Sequence, residues 1–289
     1  RAHAIRRERH APSFIKNNHK GKDNNQEQSF EEGLLKVLPF KLTNAQERVW
    51  SEISNDLSKS FPMNRLLQGD VGSGKTVVAA LAAARVMDHG YQAAIMAPTE
   101  ILAEQHYLKM KEWFEPLGVR IAWLSGSLKA KEKRLAQEVI EGGQAQLIIG
   151  THALIQENVS FAKLGLAVID EQHRFGVRQR LEIQQRVGSE LFYCHQLMMS
   201  ATPIPRTLAM TYYADLDVSV IDELPPGRKP IATKVVKASR RDEVIGGLQN
   251  WLSKGLQAYW VCPLIEESEV LQLQTAVESF EQLTQALPN

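Results

Sequence analysis

Residues Gly69-Asp70-Val71-Gly72-Ser73-Gly74-Lys75-Thr76 spell a complete phosphate-binding loop, G-x-x-x-x-G-K-T. Gly69, Gly72 and Gly74, with Ser73 between them, would let the backbone wrap phosphate groups closely, which larger side chains obstruct. Lys75 would reach the β- and γ-phosphates, and the Thr76 hydroxyl would ligate magnesium. About ninety-five residues later comes Asp170-Glu171-Gln172-His173. Asp170 supplies a magnesium anchor, and Glu171 a group to orient or deprotonate the attacking water. Taken alone, Asp-Glu after an apolar run is an ordinary helix-capping pair. Beside a full phosphate loop, and followed by Gln172 and His173, it reads as the second half of a nucleotide-hydrolysing site, with Lys75, Asp170, Glu171 and His173 as the catalytic candidates.

Other polar residues stand where such a site needs them. Gln46 precedes the loop by about twenty-five residues. Its amide matches adenine N6 and N7, which would select ATP. It also lies three residues after Thr43, the spacing of a helix capping box, and both readings hold together. Ser200 and Thr202 end another apolar run and would hydrogen-bond the Asp170–His173 segment, sensing the γ-phosphate. Thr99, Gly126, Thr151 and His152 follow further apolar runs and would face a nucleic-acid backbone.

The elements that must position these residues alternate. Strand-like runs at Arg65–Gln68, Ala93–Ala97, Arg120–Leu124, Gln146–Gly150, Leu166–Asp170 and Gln196–Ser200 are separated by helical patterns at Asn44–Lys59, Lys75–Asp88, Ile101–Phe114, Lys129–Glu141 and Val177–Arg186. That order predicts an α/β fold, a parallel sheet with helices on both faces, and puts the polar residues at the carboxyl ends of the strands. Three zones follow: a basic, polar connector over 1–33, a nucleotide-binding lobe over 34–230, and a further segment over 231–289. The last zone reads as strands at Ile231–Lys237 and Gln257–Leu264 with helices at Arg241–Ser253 and Val270–Ala286, too few elements to close a second α/β core.

The chain has 289 residues, is 44% hydrophobic and carries a net charge of +1. Residues 1–22 hold seven Lys and Arg against the single acid Glu8, leaving the remainder net negative. A basic arm on such a body suits phosphate contacts, or is a solvated linker. Cys194 and Cys262 lack metal-ligand spacing and read as small hydrophobes in a reducing cytoplasm. No apolar run approaches the roughly 18 residues of a membrane span, and no secretory pattern opens the chain.

Together the motifs resemble the first motor lobe of superfamily 2 helicases, and more closely the RecG-type ATP-dependent DNA helicases. The resemblance rests on Gly69–Thr76, Ala97-Pro-Thr-Glu-Ile-Leu-Ala-Glu-Gln-His106, Asp170-Glu-Gln-His-Arg-Phe-Gly-Val177 and Ser200-Ala-Thr-Pro-Ile-Pro-Arg-Thr-Leu-Ala209. Asp222–Arg228 and Ala258–Glu269 add to it. It implies a RecA-like P-loop fold with an incomplete second lobe. It implies ATP and magnesium as cofactors, forked or branched duplex DNA as partner, a monomeric state, and the remodelling of stalled forks and recombination intermediates. Family members also carry an N-terminal wedge domain and a complete second lobe with an arginine finger, so the chain reads as a truncated member whose own activity is low. Transcription-repair coupling factors share much of this lobe and form the second reading. A catalytically silent nucleotide- and DNA-binding fragment is the third.

Overall fold

The computed structural model describes residues 9–16, 29–156, 159–171, 193–202, 216–223, 231–262 and 276–287. The expected helix at Val177–Arg186 and the candidate His173 lie outside them. The chain divides into two units, Arg1–Arg228 and Lys229–Asn289.

In the first unit, α1 (Phe30–Val37) and α2 (Asn44–Leu57) precede β1 (Asn64–Gly69), which runs through the phosphate loop into α3 (Lys75–Met87). Then follow β2 (Gln92–Met96), α4 (Glu100–Phe114), β3 (Ile121–Leu124), α5 (Ala130–Glu141), β4 (Leu147–Gly150), a short 3-10 turn (His152–Ile155), β5 (Leu164–Ile169), β6 (His195–Ser200) and β7 (Asp217–Ile221). The strands form one sheet in the order β3-β4-β2-β5-β6-β1-β7, with every pairing parallel. Parallel strands bring all their carboxyl ends to one edge, so the loops after β1, β2, β3, β4, β5 and β6 share that edge. The expected α/β parallel sheet is therefore present.

Successive strand residues serve opposite faces. Leu67, Ile149 and Val168 join the larger core with α1 to α4, whereas Leu66, Ile148 and Ile169 join the smaller core with Ile140 of α5. Helix α3 is buried from Val77 to Met87. Its alanine-rich sequence permits this, because small side chains let the helix lie between the sheet and α1 and α2. Gly150 is required by contact: a Cβ there would lie 1.8 Å from the Leu124 carbonyl oxygen.

Three expectations need correction. Residues 1–33 are not a uniformly solvated connector. Segment 9–16 is docked, with Phe14 fully buried against His89, Tyr91 and His195, and the Ala11 and Phe14 amides donating to Ser60 O and Leu57 O. Helix α1 begins at Phe30, so the boundary proposed at 33/34 falls within a helix. Strand β7, absent from the expected strands although Asp217-Val-Ser-Val220 alternates polar and apolar residues, pairs with β1 from Arg65↔Asp217 to Gly69↔Ile221.

The second unit contains α6 (Arg241–Leu252) and α7 (Ala276–Ala286). Residues 231–237 and 256–262 form no strand, and Val235, Tyr259 and Val261 are almost wholly exposed. β-Propensity becomes a strand only where a neighbour completes the ladder, and among the described residues none does. Of the expected helix at Val270–Ala286, residues 270–275 lie outside the described set.

One buried group ties the docked segment to the sheet. His195 opens β6, fully buried; its Nδ1 accepts from the Met63 amide at 3.0 Å, and its Nε2 donates to the Pro12 carbonyl at 2.7 Å. Burial pushes its pKa down to about 4, opposed by the Pro12 hydrogen bond and by Asp56. The unfolded chain binds this proton near pH 6.5, so stability is fully present above that value and is lost as pH falls toward 4. Over that range the loss attributable to His195 is about 3 kcal/mol. Urea unfolding at pH 7 and pH 4.5 should therefore show less acid sensitivity in His195→Phe than in the unaltered chain, although the variant is less stable at pH 7. Cys194, next to it, is buried with its thiol pushed up to about 12, which makes it an inert core residue.

Candidate active site

The phosphate loop leaves β1 at Gly69 and enters α3 at Lys75. Helix α2 has Thr43 as its N-cap and α4 has Thr99, each accepting a backbone N–H. Helix α3 has Gly74 at φ 91° and no side-chain cap. Its first amides are thus left for an anion, reinforced by the partial positive charge of the helix end. Only glycine fits at position 74: a Cβ would carry the strain of a left-handed residue and would meet Gln46 Nε2 at 2.1 Å. At Gly69 a Cβ would collide with Ser73 Oγ, a buried hydroxyl that has no hydrogen-bond partner among the described residues.

The Lys75 Nζ spans the loop, donating to Gly69 O at 2.7 Å and Asp70 O at 3.1 Å. Burial pushes its pKa down, and the carboxylates of Asp170, Glu171 and Asp70 push it back up. The structure thus brings the lysine of one motif into the field of the acidic pair of the other. Thr76 stands half-buried in the first turn of α3.

Asp170 follows β5, its amide donating to Met96 O at 2.8 Å. Its Oδ1 accepts from the Glu171 amide at 2.9 Å, and its Oδ2 accepts from His106 Nε2 at 2.7 Å. Glu171 has φ 49°, a left-handed conformation costing a non-glycine residue roughly 1–2 kcal/mol. Strain of this kind collects where a side chain must be aimed. The Thr76 hydroxyl and the Asp170 carboxylate are hard oxygen donors, the kind that supplement phosphate oxygens and water around magnesium, so the residues present fit that ion.

Other expected site residues fall less simply. Gln46 is buried, closes the capping box through Thr43, and donates from Nε2 to Ser73 O at 2.8 Å. It fastens the loop to α2, and its capping role is formed as read. Ser200 and Thr202 hydroxyls bond each other at 3.0 Å; among the described residues Ser200 does not reach the Asp170 segment as expected, because its short side chain closes its own turn. Thr99 and Thr151 use their hydroxyls to cap α4 and the 3-10 turn, and Thr151 is buried. Gly126 and His152 are exposed. These four lie beyond β2, β3 and β4, on the sheet half away from the phosphate loop but along the same edge. A cavity of about 810 Å³ bordered by Phe30, Asp88, Gly118 and Gln146 lies where strands begin, not at this edge.

His106 was not among the sequence candidates. A signal existed: Ala103, His106, Met110 and Trp113 form the buried stripe of α4, and a polar residue in an apolar stripe needs a partner.

Residues 43–211 match the DEAD/DEAH box helicase family model. The chain belongs to that family. Within it the chain is similar to the ATP-dependent DNA helicase RecG of Haemophilus influenzae, 57% identical over 255 residues, covering 88% of this chain and 37% of that protein. The Aquifex aeolicus RecG is 51% identical over 265 residues, covering 92% of this chain and 33% of that protein. Among solved structures, RecG bound to a three-way DNA junction superposes with a TM-score of 0.74 at 46% identity, covering 88% of this chain and 33% of that one. The RecG-type resemblance read from the motifs is thus borne out, over a chain that spans roughly a third of the length of these relatives. Among the described residues, no helix is long and apolar enough to cross a membrane.

Proposed function

We propose that this chain is the ATP-binding motor lobe of a RecG-type DNA helicase that remodels forked or branched duplex DNA. The observation that carries this reading is the single sheet edge. One half of it holds the phosphate loop with Lys75 beside Asp170 and Glu171; the other half holds Thr99, Gly126 and His152. Nucleotide state and DNA contact are then linked through one rigid sheet.

In this reading the uncapped start of α3 and Lys75 bind the phosphates, and Thr76 and Asp170 hold magnesium. The ion supplies charge neutralisation on the phosphates. Glu171, fixed by its left-handed backbone, orients the attacking water and takes its proton. Gln46 selects adenine only if its second amide hydrogen and free lone pair turn to the base, since its present bonds hold the loop. Thr151 acts by capping its turn, leaving His152 and the turn's backbone to meet DNA. The zones 1–33, 34–230 and 231–289 correspond in this reading to an arm, the first lobe and the beginning of a second, in a cytoplasmic monomer.

The test is ATP hydrolysis with and without a three-way DNA junction. Turnover that rises with junction DNA supports the reading. Magnesium-dependent ATP binding with no response to any DNA points instead to a silent nucleotide-binding module, and equal stimulation by unbranched duplex favours a coupling-factor-like translocase.

A further inference from the structure

We infer that His106 is a positioning residue that holds the Asp170 carboxylate in place for the metal–nucleotide complex. The inference rests on the assignment of Asp170 as the metal anchor and adds a residue to that site.

The geometry is specific. His106 Nε2 lies 2.7 Å from Asp170 Oδ2, and the two side chains are only 9% and 13% exposed. The other oxygen, Oδ1, accepts the Glu171 amide. A carboxylate held at both oxygens cannot rotate about its Cβ–Cγ bond without breaking a hydrogen bond, yet each oxygen keeps a lone pair for a cation. In its neutral form, an imidazole N–H also orients the carboxylate without cancelling its charge, as a guanidinium in the same place would.

A histidine that merely fills a core finds backbone partners, and this molecule contains one for comparison. His195 is fully buried and bonds the Pro12 carbonyl and the Met63 amide. His106 sits instead against the carboxylate that the acidic motif delivers at the strand end. It is held by a helix that cannot easily shift, since Ala103, Met110 and Phe114 of α4 are wholly buried. The same helix is capped by Thr99, two turns earlier, so one rigid element joins the next strand-end loop to the metal anchor.

Outer partners of metal-ligating carboxylates typically contribute 10–100-fold in metal affinity. The test uses the full 289-residue chain and a fluorescent ATP analogue, with binding titrated against magnesium. In His106→Ala the magnesium concentration for half-maximal nucleotide binding should rise about 10-fold or more. Nucleotide affinity in EDTA should stay within about two-fold, because the phosphate loop is untouched. His106→Gln, whose amide can donate from a similar position, should recover most of the loss. Circular dichroism at each point separates unfolding from a weakened metal site. An unchanged magnesium requirement in folded His106→Ala, or equal losses in both variants, overturns the inference and leaves the proposed function standing. Absence of magnesium-dependent binding in the unaltered chain removes the metal site itself, and both fall together.

Discussion

Lys75→Ala is expected to abolish nucleotide-dependent activity while leaving the fold intact. Among the described residues the ammonium bonds only the carbonyls of Gly69 and Asp70, on a loop at the sheet edge, so its removal opens no cavity in the core. What disappears is the cation facing the acidic pair and the bound phosphates. A charge-assisted hydrogen bond contributes about 1.5–3 kcal/mol, so two phosphate contacts correspond to at least about 100-fold in nucleotide affinity. The loss in turnover should be larger, since the lysine meets charge that grows in the transition state. Asp170, Glu171 and Asp70 would also lose the cation they share, which adds repulsion to the incoming phosphates. Isothermal titration with MgATP checks the first expectation, and thermal unfolding the second. A variant that binds MgATP as tightly as the unaltered chain would remove Lys75 from the site.

Glu31→Ala is expected to be the most destabilising of the simple substitutions away from the site. Arg85 and Glu31 form a buried pair at 2.6 Å, with side chains 3% and 7% exposed. The guanidinium also bonds Ser54 Oγ at 3.1 Å and lies over the Trp50 ring, so one charge joins α1, α2 and α3. Removing one partner of a buried pair typically costs about 3–5 kcal/mol, because the other charge is left without compensation. Against a usual domain stability of about 5–15 kcal/mol, that lowers Tm by roughly 10 °C. The double variant Glu31→Ala with Arg85→Met should recover part of the loss, since it removes the stranded charge. A Tm unchanged in Glu31→Ala would mean that water reaches Arg85.

These two residues mark the limit of what the chain discloses before it is folded. Lys75 was legible because a phosphate site is local: eight consecutive residues carry the turn, the cation and the hydroxyl. Asp170 was legible because an apolar strand delivered it to the expected edge. Glu31 read as part of a polar connector, since its partner lies 54 positions away and nothing local marks the pairing. Phe14 is the same case: one aromatic among basic and polar residues becomes a core residue only when His89, Tyr91 and His195 close around it. Gln46 was legible as a capping residue, because a capping box is also local, while its bond to Ser73 O required the loop to fold back onto α2. Strand β7 was missed and residues 231–237 were read as a strand for one reason: strand formation is decided by an available neighbour.

The central claim is that nucleotide and branched DNA engage one edge of the sheet, at the carboxyl ends of its strands. Amide hydrogen exchange of the full chain, with a non-hydrolysable ATP analogue and magnesium, with and without a three-way DNA junction, tests it most directly. The account predicts nucleotide-dependent protection over 69–76 and at Asp170 and Glu171, absent in Lys75→Ala. It predicts added protection from the junction over 97–103, 125–128 and 151–154. Protection by DNA at the opposite edge, around 88–92 and 118–121 where strands begin, with none over the three loops, would contradict it.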